Sequence, residues 1–497
     1  MRLAGLAAGT TTDARPRLRT AFFASNQRVA PVSDSLAPDI LLAPDASVAS
    51  VPVTCVSTDG LERYLGDASP SVAGWVAANG FKAEAGSMLR LAGEDGALAG
   101  VLFGLGKGHG EEDPFLLGKL ATDLPAGTYR LEGEAVDAGR AALGFLLSAY
   151  RFDRYRKRTD KGVRLVTPGY VDRDEVVRIA KGVALARDLI NIPANDLGPV
   201  ELADAAIDTV VAYGGTDRVI VGEDLLAENL PMVHAVGKAS SRHPRLVDLA
   251  WGNPDHPKVT LVGKGVCFDS GGLDIKPGSA MALMKKDMGG AANVLGLATM
   301  IMDAELPVRL RVLIPAVENS ISGNAFRPGD VLPSRKGLNV EIGNTDAEGR
   351  LILADALALG DEEHPDLMLD LATLTGAARV ALGPDLPPFY TDDDALAGAI
   401  EKASVAVADP LWRMPLWKPY LKMMDSKIAD INHITSAPFA GSVTAALFLS
   451  RFVEHARSWA HFDIYGWTPT AKPGKPEGGE GQAIRALYAM LKERYGK

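Results

Sequence analysis

Several short runs of the sequence are apolar almost throughout: LVDLAWG (246–252), KVTLVGKG (258–265), VRLRVLIPAV (308–317), DLMLDLAT (366–373) and WAHFDIYGW (459–467). A strand that is apolar on both faces has to be covered on both. The segments between and after these runs carry helical spacing, at AANVLGLATMIMDAE (291–305), Leu351 to Leu359, SVTAALFLSRFVEHA (442–456) and QAIRALYAMLKERY (482–495). Strands alternating with helices predict a mixed, largely parallel sheet between two helical layers, an α/β/α architecture. In such sheets the chemistry collects in loops at the strand C-termini.

At 497 residues the chain is too long for one core. Residues 1–165 read as a smaller N-terminal α/β domain, with strand-like runs at DILLAP (39–44), VPVTCV (51–56) and ALAGVLFGLG (97–106). Helical spacing follows at PFLLGKLATDL (114–124) and AGRAALGFLLSAYRF (138–152). GLGKGHG (104–110) fits no phosphate-loop pattern and reads as a tight turn. Residues 166–195 read as a linking helix and loop, capped by Asp172 or Asp174 and closed by Pro193. The larger domain spans 196–497, with PTAKPGKPEGGEGQ (469–482) as a long surface loop.

Charge and targeting signals narrow the classes. With 62 acidic against 52 basic residues the formal charge is −10, which argues against nucleic acid or an anionic membrane as partner. No apolar run is long enough to span a bilayer. MRLAGLAAGTTTDARPRLR lacks a secretory apolar core, and Asp13 and its proline argue against a transit peptide. Cys55 and Cys267 are too few for a disulfide framework. A reducing cytoplasm is the expected location.

NTDAEGRL (344–351) places Asp346, Glu348 and Arg350 on alternate positions, which in an extended chain point to one side. A solvated loop could hold the same three charges, so the stretch needs a partner. VGKGVCFDSGGLDIKPGSAMALMKKDMGGAANV (262–294) supplies one: a strand runs into Lys264, then Asp269, Asp274, Lys276 and Asp287 before a helix. Carboxylates gathered at one point repel and need compensation. That compensation is either ion pairs with Lys264, Lys276 and Arg350, or bound metal, for which carboxylate-rich sets suit Mg, Mn or Zn.

GKGVCFDSGG, IKPG, MKKDMGGAA, NTDAEGRLILADAL and DLATLTGAA closely resemble the leucyl aminopeptidase (cytosol aminopeptidase) family of dinuclear metallo-exopeptidases, in family order across residues 185–497. The resemblance implies that 196–497 is the catalytic domain. It implies Lys264, Asp269, Asp287, Asp346 and Glu348 as ligands of two divalent ions, with Asp269 and Glu348 shared between them. Mn or Zn are the expected metals, with Mg or Co as substitutes. Lys276 and Arg350 match the catalytic positions that bind no metal, and Arg350 the position that holds bicarbonate. Met284, Thr373 and Gly376 fall where the family lines the pocket for the first side chain. The implied substrates are peptides with a free N-terminus, losing a leucine-like or broadly chosen first residue. A homo-hexamer is implied too, in which the N-terminal domain would serve assembly or regulation.

Two other functions fit parts of the sequence. A two-metal phosphoesterase would use similar carboxylates, and some members of the family are also described as DNA-binding regulators. FDSGG is similar to the nucleophile motif of chymotrypsin-like proteases, but that fold is all-β. The eight histidines contain no HExxH.

Overall fold

The computed structural model describes residues 40–45, 47–107, 113–157 and 159–496. The first 39 residues, and most of the GKGHG stretch with its expected turn, lie outside them.

The N-terminal part forms a six-stranded sheet in the order Leu41–Leu42, Val163–Val166, Gly127–Gly133, Val51–Val56, Leu98–Gly104, Met88–Ala92. The first five strands run parallel and Met88–Ala92 is an antiparallel edge. Val53, Val101 and Phe103 are completely buried in its core. The helix Ala138–Ala149 starts at Asp137, whose carboxylate accepts from Arg140 N at 2.9 Å.

The helix Arg173–Asn191 follows, capped by Asp172, which accepts from Glu175 N at 3.0 Å. It crosses the helix Gly289–Asp303 at a glycine contact. A Cβ on Gly182 would lie 2.6 Å from Gly296 O, so only glycine allows the two backbones this close. Arg187, buried on the first helix, donates to Leu147 O at 2.8 Å and Gly474 O at 2.6 Å and pairs with Glu480 at 3.1 Å. Gly478 to Gln482 are buried with it. The expected surface loop at 469–482 is therefore exposed in its first part only. Its second part is a packed seam, because Glu480 has to meet a buried guanidinium.

The larger sheet has nine strands, in the order Trp412–Arg413, Pro388–Tyr390, Trp459–Asp463, Leu367–Ala372, Lys258–Gly263, Arg309–Asn319, Arg245–Trp251, Thr216–Val221. The ninth, Gly265–Asp269, continues along Arg309–Asn319 after a break at Lys264. Trp459–Asp463, Leu367–Ala372, Lys258–Gly263 and Arg309–Asn319 are the parallel centre. Val259, Leu261, Leu369 and Leu371 are fully buried, as strands covered on both faces must be. Among the described residues no helix is long and apolar enough to cross a membrane.

Candidate active site

The break at Lys264 is where the site begins. Lys264 N donates to Leu371 O at 3.0 Å on the neighbouring strand, and its carbonyl accepts from Ala291 N at 2.9 Å at the start of a helix. Its stem crosses the first turn of the helix Glu348–Asp361, where a Cβ on Gly349 would lie 2.4 Å from Lys264 Cε. Asp269 ends the next strand. Gly271 and Gly272 follow with φ of 90° and 64°, a reversal that favours glycine. The turn brings Lys276 N back to Ser270 O at 3.0 Å.

NTDAEGRL is not extended. Thr345–Ala347 is a 3-10 turn and Glu348 opens the helix. The turn is fixed by Asn344, which accepts from Asp346 N at 2.7 Å, and by Asp274, which accepts from Thr345 N at 2.7 Å. The alternation of charges is thus a helix-entry pattern rather than one face of a strand. The convergence of Asp346 and Glu348 survives because both flank the same turn. Arg350 turns aside, its Nη1 donating to His433 O at 2.7 Å.

Two ion-paired groups result. Lys264 Nζ lies 2.6 Å from Asp287 Oδ2, 3.1 Å from Glu348 Oε1 and 3.2 Å from Thr373 O. Lys276 Nζ lies 2.8 Å from Asp269 Oδ2 and also contacts Asp346 Oδ1. Asp269, Asp346 and Glu348 each offer an oxygen within 4.8 Å of the others'. Lys264, Asp269, Asp287 and Glu348 are at most 3% exposed.

The charges do not balance, since four carboxylates face two ammonium groups. Burial pushes the Glu348 carboxyl well above its usual range, with Asp269 adding to it. Burial and Asp269 push Asp346 up to about 6, and burial raises Asp287 as well. Burial works against the charges of Lys264 and Lys276, yet the surrounding carboxylates reverse it and both are raised. Asp287 Oδ2, Asp346 Oδ1 and Glu348 Oε1 are buried and accept no hydrogen bond of proper geometry, although each faces a lysine ammonium. Oxygens of this kind fit divalent cations, which would supply the missing positive charge.

The family model for the catalytic domain of the cytosol aminopeptidase family matches residues 184–488, and that for the M17 aminopeptidase N-terminal domain matches residues 51–168. The chain belongs to the cytosol aminopeptidase family. It is similar to a probable cytosol aminopeptidase of Chlorobium limicola, 37% identical over 457 residues that cover 83% of this chain and 90% of that one. A probable cytosol aminopeptidase of Roseiflexus castenholzii is 41% identical over 370 residues, 70% of this chain and 75% of that one. The crystal structure of the cytosol aminopeptidase from Coxiella burnetii aligns with a TM-score of 0.88 at 46% identity, covering 92% of this chain and 100% of that one. The solved structure of the bottromycin maturation enzyme BotP in complex with Mn aligns with a TM-score of 0.80 at 33% identity, covering 90% of this chain and 100% of that one. As a member of this family the chain is a metal-dependent aminopeptidase, a hydrolase acting on peptides.

Around this aminopeptidase site stand further residues, of which Asn319, His433 and Asp463 were passed over in the sequence. Asn319 Nδ2 donates to Asp269 Oδ1 at 2.8 Å and Thr345 O at 3.0 Å, tying the two motif segments together. It sits at a strand C-terminus, the one signal that could have flagged it. His433 is buried with Nε2 2.9 Å from Asn344 O; burial and Arg350 push its pKa down to about 3, so it is a neutral donor holding the turn. Asp274 holds the same turn from the other side, accepting from Thr345 N at 2.7 Å. Thr373 Oγ1 donates to Asp287 at 2.9 Å, and Asp463 holds the backbone of Leu374 and Thr375 at 3.0 Å each. Met284 opens the 3-10 turn that carries Asp287, and Gly376 opens the helix after Thr373.

Proposed function

We propose that the chain removes the first residue of peptides with a free N-terminus, using two divalent ions held by Lys264, Asp269, Asp287, Asp346 and Glu348. The observation that carries this reading is the set of three buried carboxylate oxygens that face ammonium groups without hydrogen-bonding geometry. Bound there, two divalent ions act as Lewis acids on the scissile carbonyl and lower the pKa of water towards neutrality.

The chain's own groups do the rest. Lys264 is a ligand only when neutral, so binding displaces its proton, and the Thr373 carbonyl 3.2 Å away stays to orient the amine. Lys276, on the Asp269 and Asp346 side, holds positive charge against the oxygen that becomes anionic during attack. Arg350 keeps a buried Nε without a partner beside its bond to His433, a donor suited to a planar anion such as bicarbonate. Asn319 and Thr373 hold Asp269 and Asp287 in place.

Mn or Zn are the metals we assign, with hexameric assembly, a cytoplasmic location and an assembly or regulatory role for residues 1–165. Residues 166–195 then link that domain to the catalytic domain at 196–497. The test is a leucyl anilide, its N-acetyl form and an aryl phosphate, each assayed with added Mn, Zn, Mg and Co. Turnover of the free leucyl anilide alone is expected. Equal rates on the blocked form would overturn the exopeptidase reading, and phosphate hydrolysis would favour the phosphoesterase.

A further inference from the structure

Two cations beside the site lack a direct ion pair: Asp287 and Asp463 act on Lys286 only at longer range. Lys286, next to Asp287, is only 6% exposed, and its Nζ lies 4.7 Å from the ring centre of Tyr465. The Arg379 guanidinium carbon lies 5.2 Å from the same ring centre, and the residue is exposed. Among the described residues neither side chain makes a hydrogen bond or an ion pair. The nearby carboxylates are already committed. Asp287 accepts from Thr373 and pairs with Lys264, and Asp463 accepts from Leu374 N, Thr375 N, Thr375 Oγ1 and Ser442 Oγ. A buried ammonium left to a ring face lacks the partner that such burial ordinarily requires.

The position says what the missing partner is attached to. Tyr465 precedes Gly466, where a Cβ would lie 3.2 Å from Thr373 Cγ2 and 3.8 Å from Gly289 Cα. Arg379 lies one helical turn beyond Gly376, on the same face. The pair therefore sits at the Asp287 and Thr373 end of the site. We propose that Lys286 and Arg379, set against Tyr465, select a carboxylate on the first side chain of the substrate, making N-terminal Glu or Asp the favoured residue. Tyr465 lies against both cations and walls the subsite, and an entering carboxylate takes up their charge. This rests on the aminopeptidase reading and narrows its substrate class.

Glutamyl and glutaminyl anilides, nearly identical in shape and without a C-terminal carboxylate, are compared in kcat/KM on the metal-loaded enzyme, with the leucyl anilide as reference. The wild type is expected to favour glutamyl over glutaminyl by about 10-fold or more, the scale of a charge-assisted contact. Arg379→Gln and Lys286→Met should each shrink that ratio, chiefly through KM, while the glutaminyl and leucyl rates stay within about threefold; Lys286→Arg should restore it. A wild-type ratio near one would overturn the proposal and leave the aminopeptidase reading intact. So would equal losses on all three substrates in the variants, the mark of a purely structural role. No hydrolysis of any aminoacyl anilide would take both readings down.

Discussion

The two large sheets of the molecule have the same kind of architecture and very different interiors. In the N-terminal sheet domain no charged or amide side chain is buried among the described residues; the buried hydroxyls belong to Ser57, Tyr129, Tyr150 and Thr167. Its one cysteine, Cys55, is pushed up to about 12 by burial and so stays an unreactive thiol. In the larger domain, Lys264, Asp269, Lys286, Asp287, Glu348 and Arg350 are all buried where strands hand over to helices. Both domains close an apolar core around parallel strands, so the fold alone does not require buried charge. The charge cluster is a cost that the second sheet bears at its strand C-termini for function.

That contrast can be broken by mutation. The largest effect is expected for Asp287→Ala, which removes a ligand and unbalances Lys264. Turnover should fall by about 10³-fold or more, as for loss of one member of a catalytic set, and metal per chain should fall with it. Lys276→Ala should cost about 10²–10³ in turnover at saturating metal with the ions retained, since its charge acts on the transition state. Thr373→Val removes the hydroxyl that bonds Asp287 at 2.9 Å, and metal affinity read by titration should drop about 10- to 100-fold. The smallest effect on turnover is expected in the other sheet. Val53→Ala, in its fully buried core, should lower the unfolding midpoint through a loss of about 1–3 kcal/mol while kcat stays within about twofold. A Val53→Ala variant with normal stability and lost turnover would mean that the two sheets are coupled in catalysis.

The central strands were legible because fully buried strands write themselves as unbroken apolar runs. VPVTCV is a strand over the expected residues, and KVTLVG runs into Lys264 as read. The ligand candidates were legible only through long motifs, since nothing in NTDAEGRL itself separates a strand from a helix entry. Its alternation misled because three charges at every second position also suit a tight turn that runs into a helix. Thr216–Val221 escaped notice because it is a largely exposed edge strand without an apolar run. His433 and Asp463 were invisible for a different reason. They act through hydrogen bonds to segments distant in sequence, such as His433 to Asn344, and no local pattern encodes those.

Metal stoichiometry tests the two-ion site most directly. The purified chain is reconstituted with Mn or Zn, passed through gel filtration and analysed for ions per chain, wild type beside Lys276→Ala and Asp287→Ala. The prediction is two ions per chain in the wild type and in Lys276→Ala, fewer in Asp287→Ala, and leucyl anilide hydrolysis in the wild type that vanishes on chelation and returns with metal. Full activity in a preparation stripped below one ion per chain, or loss of metal from Lys276→Ala while Asp287→Ala keeps both ions, would contradict it.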